Sequence, residues 1–179
     1  MEIKTSRLLL RKFTKEDINQ TYLNALNDHT IMGMTEARHI IWDRYKAEKF
    51  IENSNTDDSI LFSVLICESN KLIGNIRLFN IHPIHNRAEL SLLFYDKTEW
   101  GKGYATESIK ALVEYAFESL KLNRIFADYY STNIASSKIF NKAGFKIEGV
   151  FKDHFYNNEM EYVDSIRIAI MKLKVNQYY

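Results

Sequence analysis

Thr98-Glu-Trp-Gly-Lys-Gly-Tyr-Ala-Thr-Glu-Ser108 packs two glycines around a lysine. It follows an apolar run, Ala88-Glu-Leu-Ser-Leu-Leu-Phe-Tyr95, whose length suits a strand. It precedes Ile109, Leu112, Val113, Ala116, Phe117 and Leu120, which recur at three- and four-residue spacing and predict an amphipathic helix. A turn joining a strand to a helix N-terminus leaves several backbone N–H groups unpaired at the positive end of the helix dipole, which makes it an anion site. Gly101 and Gly103 let backbone approach a ligand without obstruction, and Lys102 adds a charge. Phosphate is the natural guest.

Spacing separates the phosphate readings. A P-loop places four residues between its first glycine and Gly-Lys-Ser/Thr, whereas Gly103 and Tyr104 directly follow Gly101-Lys102. A dinucleotide fingerprint needs a third glycine where Thr106 stands, and belongs to the first strand of a parallel sheet. Neither fits.

The surroundings of the bend predict the architecture. Ser6 to Phe13 reads as a strand. Thr14 with Asp17 three residues on is a helix start signal, and Ile18, Tyr22, Ala25 and Leu26 share a face, predicting a helix over about Lys15 to Asn27. His29 to Ile41 has no clear period, and Trp42 to Asn53 returns to helical spacing through Ala47, Phe50 and Ile51. Strands over Ile60–Cys67 and Leu72–Ile81 flank a hairpin turn, Glu68-Ser-Asn-Lys71, and the one proline, Pro83, sits in a loop. Arg124–Tyr130 is a strand, Ile134–Lys142 a short helix, and Gly144–Lys152 with Met160–Lys172 a last pair of strands around Asn157-Asn158. The order is β-α-α-β-β-β-α-β-α-β-β. It predicts one α/β (α+β) domain over residues 1–179, with a mixed twisted sheet of about seven strands and helices on both faces.

Composition bounds the function. The chain has 179 residues, 46% hydrophobic and 26% charged, which suits one soluble globular core. Twenty-four Lys and Arg against 23 Asp and Glu leave a net charge of +1, so neither a nucleic-acid footprint nor an acidic tail is announced. No apolar stretch suits a signal peptide or a membrane span, and a cytoplasmic location is expected. The single cysteine, Cys67, reads as a buried strand position rather than a reactive thiol. His82, His85 and Glu89 lack the ligand count and closed spacing of a zinc site, so no metal is expected.

The bend resembles the pyrophosphate-binding motif of the GNAT acetyltransferases, Gln/Arg-x-x-Gly-x-Gly/Ala at a strand-to-helix junction, which grips coenzyme A. The resemblance is strongest to the RimJ/RimL-type branch, where Trp-Gly-Lys-Gly-Tyr-Ala-Thr-Glu is a common form. Asn133-Ile-Ala-Ser136, Ala143-Gly-Phe145-Lys-Ile-Glu-Gly149 and Thr5-Ser-Arg-Leu-Leu-Leu-Arg11 resemble further segments of that branch, in order. Thr98 departs from the pattern, standing where Gln or Arg is usual.

The resemblance implies acetyl transfer from acetyl-CoA to a primary amine by direct attack in a ternary complex. By the same resemblance Leu93, Phe94 and Tyr95 bond the pantetheine arm through backbone groups, and Trp100, Gly101, Lys102, Gly103, Tyr104 and Ala105 surround the pyrophosphate. Asn133, Ser136 and Phe140 lie near the thiol end. Asn133 also reads as the N-cap of the helix that follows it. Glu89 is the favoured base, with a structural carboxylate paired to Arg87 or Arg77 as its alternative. Phe140 stands where many relatives carry the tyrosine that protonates the leaving thiolate, so Ser136 is named as the substitute, against a hydroxyl bonded within its own helix turn.

Met34-Thr-Glu-Ala-Arg38 with Trp42 resembles a subgroup found with amino-sugar and surface-polysaccharide pathways. Glu36, Arg38 and Trp42 are the candidate acceptor contacts, or Glu36 and Arg38 form a local ion pair. A nucleotide-linked amino sugar ranks slightly ahead of a protein N-terminus, followed by a small amine or polyamine. A non-catalytic acetyl-CoA-binding module is the alternative of another class. A homodimer is the weakly favoured assembly.

Overall fold

The computed structural model describes residues 1–157 and 161–173; Asn158 and Met160 of the last expected hairpin, and the terminal Tyr178 and Tyr179, lie outside the described residues. Its centre is an eight-stranded sheet. β1 (Glu2–Lys4), β2 (Leu8–Lys12), β3 (Ile60–Ile66), β4 (Lys71–His82), β5 (Arg87–Phe94) and β6 (Arg124–Tyr130) follow in chain order. The edge is then formed by β8 (Tyr162–Met171) and, outermost, β7 (Lys146–Tyr156). Only β5 and β6 run parallel, and the helix that follows the glycine bend makes the crossover between them. The expected first strand is two strands, since Thr5 turns the chain: its N–H donates to the Leu8 carbonyl and its hydroxyl oxygen accepts from the Leu8 N–H.

Alternation sorts the side chains onto two faces. On one, α4 (Tyr104–Glu118) and α5 (Ile134–Lys142) cover Leu8, Phe62, Ile76, Leu90, Ile125 and Tyr129. Ile109, Leu112, Val113, Ala116 and Phe117, the stripe expected from spacing, are all buried here. On the other face, α1 (Gln20–Leu26), α2 (His29–Met32) and α3 (Arg44–Asn53) bury Tyr22, Met32, Trp42, Ala47 and Ile51 against Leu61 and Tyr95. Burying such side chains contributes about 1.5–3 kcal/mol each.

The first helix begins later than its sequence signal. Thr14 and Asp17 do form a capping box, but it closes only a 3-10 turn over Lys15–Asp17. Asp17 is drawn inward, where its carboxylate accepts from the Arg11 guanidinium at 2.6 and 2.8 Å and from the Ser63 hydroxyl at 2.7 Å. The chain restarts at Asn19, whose side chain caps α1. Burial works against the ionised Asp17, yet these bonds and the Thr14 N–H hold its carboxyl below the usual range. The segment expected to be irregular carries α2 and a 3-10 turn over Glu36–His39, each short enough to show no period.

Cys67 is corrected: it is exposed, because β3 ends at Ile66 and the next residues form the hairpin turn. Among the described residues no helix is long and apolar enough to cross a membrane.

Candidate active site

The parallel pairing of β5 with β6 covers only Arg87, Ala88 and Glu89 against Arg124, Ile125 and Phe126. Beyond Glu89 the strands part, although β5 continues to Phe94 and β6 to Tyr130. The far edge of β5 stays bound to β4. Gly74 lies opposite Phe94, and a Cβ there would meet the Leu93 carbonyl oxygen at 2.6 Å, so only glycine permits this approach. The Tyr95 N–H bonds the Ile73 carbonyl at 3.2 Å, which by the alternation of an antiparallel ladder turns the backbone groups of Leu93 toward β4 and those of Leu92 and Phe94 into the gap. The expectation for Leu93–Tyr95 is therefore narrowed: Phe94 faces the gap, while the Leu93 and Tyr95 amides are committed to β4. The Trp100 indole donates to the Phe94 carbonyl at 2.8 Å and locks the strand to the bend.

The bend closes one flank of the gap. Gly101 and Gly103 have φ of +78° and +87°, a region costly for any side chain. Gly103 caps α4 with no side-chain bond to the first turn, leaving those amides for a ligand. Lys102 pairs with Glu99 at 2.7 Å, and Lys71 pairs with Asp96 and Glu99. Thr98 serves the preceding turn, its N–H and hydroxyl both donating to Asp96. Tyr104 and Ala105 open α4, half-buried. From the β1–β2 connection Arg7 reaches across to Glu107 and to the Lys102 carbonyl, contacts that local sequence reading missed. A cavity of about 450 Å³ runs beside this turn, lined by Thr5, Gly103, Thr106, Glu107, Lys110 and Lys142 among others.

α5 follows β6 and supplies the next candidates, Asn133 and Ser136. The Asn133 side chain accepts from the Ser136 N–H at 3.0 Å, so it is the N-cap, and its amide nitrogen has no partner among the described residues. Ser136 stands half-buried on the first turn, its hydroxyl bonded to nothing among the described residues. Phe140 is corrected as a cofactor contact: it is 3% exposed, stacked with Tyr129 and edge-on to Phe145, and its surface is used by the core.

Glu89 stands at the apex of the gap, on the face of α1–α3. It forms no ion pair with Arg87 or Arg77; its one hydrogen bond among the described residues comes from the Asn80 amide at 3.2 Å. A bulge in β4 places that amide, since the register passes from Phe79–Glu89 to His82–Arg87 and Asn80 takes a φ of +51°. Burial raises the Glu89 carboxyl above its ordinary range; Asn80 lowers it, the nearby Asp128 charge raises it, and Arg167 and Arg77 oppose the rise. Asp128 itself is paired across the sheet with Arg167, at 2.5 and 2.7 Å.

Tyr130, at the end of β6, donates its hydroxyl to Glu36 and accepts from Arg38, while Arg38 also donates to the Tyr156 carbonyl. Burial first, then the Glu36 charge, pushes the Tyr130 hydroxyl up to about 12. The Arg38 side chain is 4% exposed, whereas Glu36 is 71% exposed. The local Glu36–Arg38 ion pair is thus formed, at 3.3 Å, and Arg38 is a buried strut rather than an acceptor contact. Trp42 is corrected as well: at 8% exposed it packs edge-on to Phe50 in the core. Among the described residues no group of three or more His, Cys, Asp or Glu is arranged to hold a metal.

Comparison with known proteins agrees with this geometry. The acetyltransferase (GNAT) domain family matches residues 7–146. The uncharacterized N-acetyltransferase YnaD of Bacillus subtilis (strain 168) is 30% identical over 152 residues, 85% of this chain and 86% of its own. The spermidine N(1)-acetyltransferase of Escherichia coli (strain K12) is 28% identical over 170 residues, 91% of this chain and 85% of its own. The crystal structure of spermidine N-acetyltransferase from Vibrio cholerae in complex with CoA and spermine superimposes with a TM-score of 0.81 at 25% identity, covering 93% of this chain and 96% of that one. With the parted strands and uncapped glycine turn suited to a long phosphorylated thioester, the chain belongs to the GNAT acetyltransferases and is an N-acetyltransferase that uses acetyl-CoA.

Proposed function

We propose that the enzyme acetylates a small amine bearing more than one positive charge, with Glu89 as the general base, and that it sits in the RimJ/RimL-type branch. The carrying observation is the position of Glu89: a half-buried carboxylate without an ion-pair partner among the described residues, at the point where β5 and β6 part. Acetyl-CoA supplies an acetyl group activated as a thioester. The first-turn amides of α4 hold its phosphates, and the Phe94 and Leu92 edge aligns its arm as an added strand would.

An amine arrives protonated and has no lone pair to offer. Glu89, directly or through one water, accepts a proton from the ammonium; the freed nitrogen pair forms the C–N bond as the C–S bond breaks. The nitrogen's second proton passes to the departing sulfur through the Ser136 hydroxyl, or through a water at the α5 N-terminus, so the relay group gives one proton and regains one; the proton on Glu89 then leaves to solvent. No covalent bond to the enzyme forms.

Charge on this face supports the cationic acceptor. A nucleotide-linked amino sugar would need free cations for its phosphates; Arg38 is tied to Glu36 and Tyr130, Arg124 to Glu148 and Arg167 to Asp128, which leaves the exposed Arg87 at the start of β5 as the unpaired arginine nearest Glu89 among the described residues. Arg77 is turned to the Ser59 hydroxyl between Phe50 and Phe79. Glu36 is 71% exposed, and its contacts with Arg38 and Tyr130 both use Oε1, so Oε2 is the carboxylate oxygen we assign to a distal ammonium. Relatives named for spermidine agree with that charge pattern. The test is free-thiol release with acetyl-CoA and a panel of linear polyamines, nucleotide-linked amino sugars and N-terminal peptides. Preference for polyamines, lost in Glu36→Gln, is expected; a preferred sugar nucleotide or peptide would refute the acceptor assignment, and donor binding without any acceptor response would refute the catalytic one.

A further inference from the structure

Glu107 is a carboxylate in the first turn of α4, beside amides that are otherwise open to an anion. Alone it would compete with a phosphate for the helix N-terminus and repel it. It is not alone. Arg7 Nε donates to Glu107 Oε2 at 2.7 Å, Arg7 Nη2 lies 2.5 Å from the same oxygen, and the Arg7 N–H points at Oε1 at 3.3 Å. The Thr5 hydroxyl donates to Oε1 at 2.6 Å, while the Ser6 hydroxyl is at 3.5 Å.

The remaining guanidinium nitrogen does something else. Arg7 Nη1 donates to the Lys102 carbonyl at 3.0 Å. A trans peptide directs its C=O and N–H in opposite senses, so fixing the Lys102 oxygen toward Arg7 fixes the Gly103 N–H away from it, toward the open side of the bend. The guanidinium also lies 4.7 Å above the Tyr104 ring, and Arg7 Nη2 sits 3.5 Å from where a Gly103 Cβ would be. One side chain thus contacts residues 102, 103, 104 and 107 of the turn from a strand connection nearly a hundred residues away. Lys102, the other cation of the bend, is already paired with Glu99.

We propose that Arg7 is a positioning residue for the donor: it cancels the Glu107 charge beside the phosphates and sets the orientation of the Gly103 amide. The proposal rests on the reading that this bend holds the diphosphate of acetyl-CoA. It separates charge compensation from a plain latch, because a latch is broken by removing either partner, whereas a compensator becomes dispensable once the charge it cancels is gone.

The experiment compares acetyl-CoA with S-acetylpantetheine, which lacks the diphosphate, on wild type, Arg7→Met, Arg7→Lys, Glu107→Gln and the Arg7→Met/Glu107→Gln pair. Arg7→Met is expected to raise KM for acetyl-CoA about tenfold, the scale of one uncancelled charge at a partly screened site. Its kcat and its KM for S-acetylpantetheine stay near wild type. Glu107→Gln keeps an acceptor for Thr5 and alone lowers KM for acetyl-CoA; in the pair it brings KM back to within about threefold of wild type. Arg7→Lys, which keeps the charge but not the fork, falls between. Equal losses on both donors, or a pair no better than Arg7→Met, would reduce the contact to a structural latch and overturn the proposal. A wild type that does not favour acetyl-CoA over S-acetylpantetheine would overturn the reading of the bend itself, and the brace with it.

Discussion

The two flanks of the gap between β5 and β6 are built by different means. The donor flank is backbone: two glycines at positive φ, an uncapped helix start, and a strand edge whose carbonyl is held by Trp100. The flank we propose for the acceptor is built of side chains: Glu36 and Arg38 from one short turn, Tyr130 from β6, and Glu89 backed by an Asn80 bulge, with the Tyr156 carbonyl of β7 bracing Arg38. Main-chain recognition suits a ligand that never changes, and exchangeable side chains suit one that differs between relatives. Substitutions on either flank should therefore move the kinetic constants of one substrate and leave the other alone.

The largest expected effect separates chemistry from both flanks. Glu89→Gln should lower kcat by about a hundredfold, the scale of general-base loss. Its donor KM should be unchanged. Because burial raises this carboxyl, it is ionised only above its shifted value, so wild-type kcat should fall with acidity in a window above the ordinary glutamate range. The variant should lose that limb. The same shift means that the folded state holds the proton more tightly than the unfolded chain, so Glu89 costs stability at neutral pH. Glu89→Gln should accordingly melt at a higher temperature, an outcome that a merely structural carboxylate would reverse.

Next, Gly103→Ala forces a side chain into φ of +87°. The strain of about 1–2 kcal/mol should appear as a roughly tenfold higher KM for acetyl-CoA, with the acceptor KM unmoved. Tyr130→Phe should do the reverse. It frees Glu36 and strips Arg38 of an acceptor, raising the acceptor KM about fivefold and costing about 1–2 kcal/mol of stability. Smallest of all, Thr98→Ala should change the donor KM by less than about twofold, since a local cap in an exposed turn is worth little to the ligand. A large donor effect from Thr98 would show that the position still acts as an anchor.

The difference between the flanks also explains what could be read from sequence. The donor bend was legible because its requirements are local: glycines two apart, a strand before and an amphipathic stripe after. The α4 stripe, the β6 limits and the Asn133 cap fall where spacing places them. The Arg38 strut was not legible, because its partners Tyr130 and Tyr156 lie 92 and 118 residues away and no local period links them. Trp42 is a candidate only through the resemblance of its short segment, which says nothing of packing; just ahead of α3 the side chain turns inward onto Phe50. Cys67 misled because an apolar run does not reveal which residue begins the turn. The split of the first helix at Asp17 reflects Ser63, a tertiary partner on β3.

Two-substrate steady-state kinetics with acetyl-CoA and a linear triamine, on wild type, Gly103→Ala and Glu36→Gln, test the central claim most directly. The account predicts amine-dependent thiol release by wild type, a KM increase for acetyl-CoA alone in Gly103→Ala, and a KM increase for the triamine alone in Glu36→Gln. Both constants rising together in either variant, or thiol release indifferent to the triamine, would contradict it.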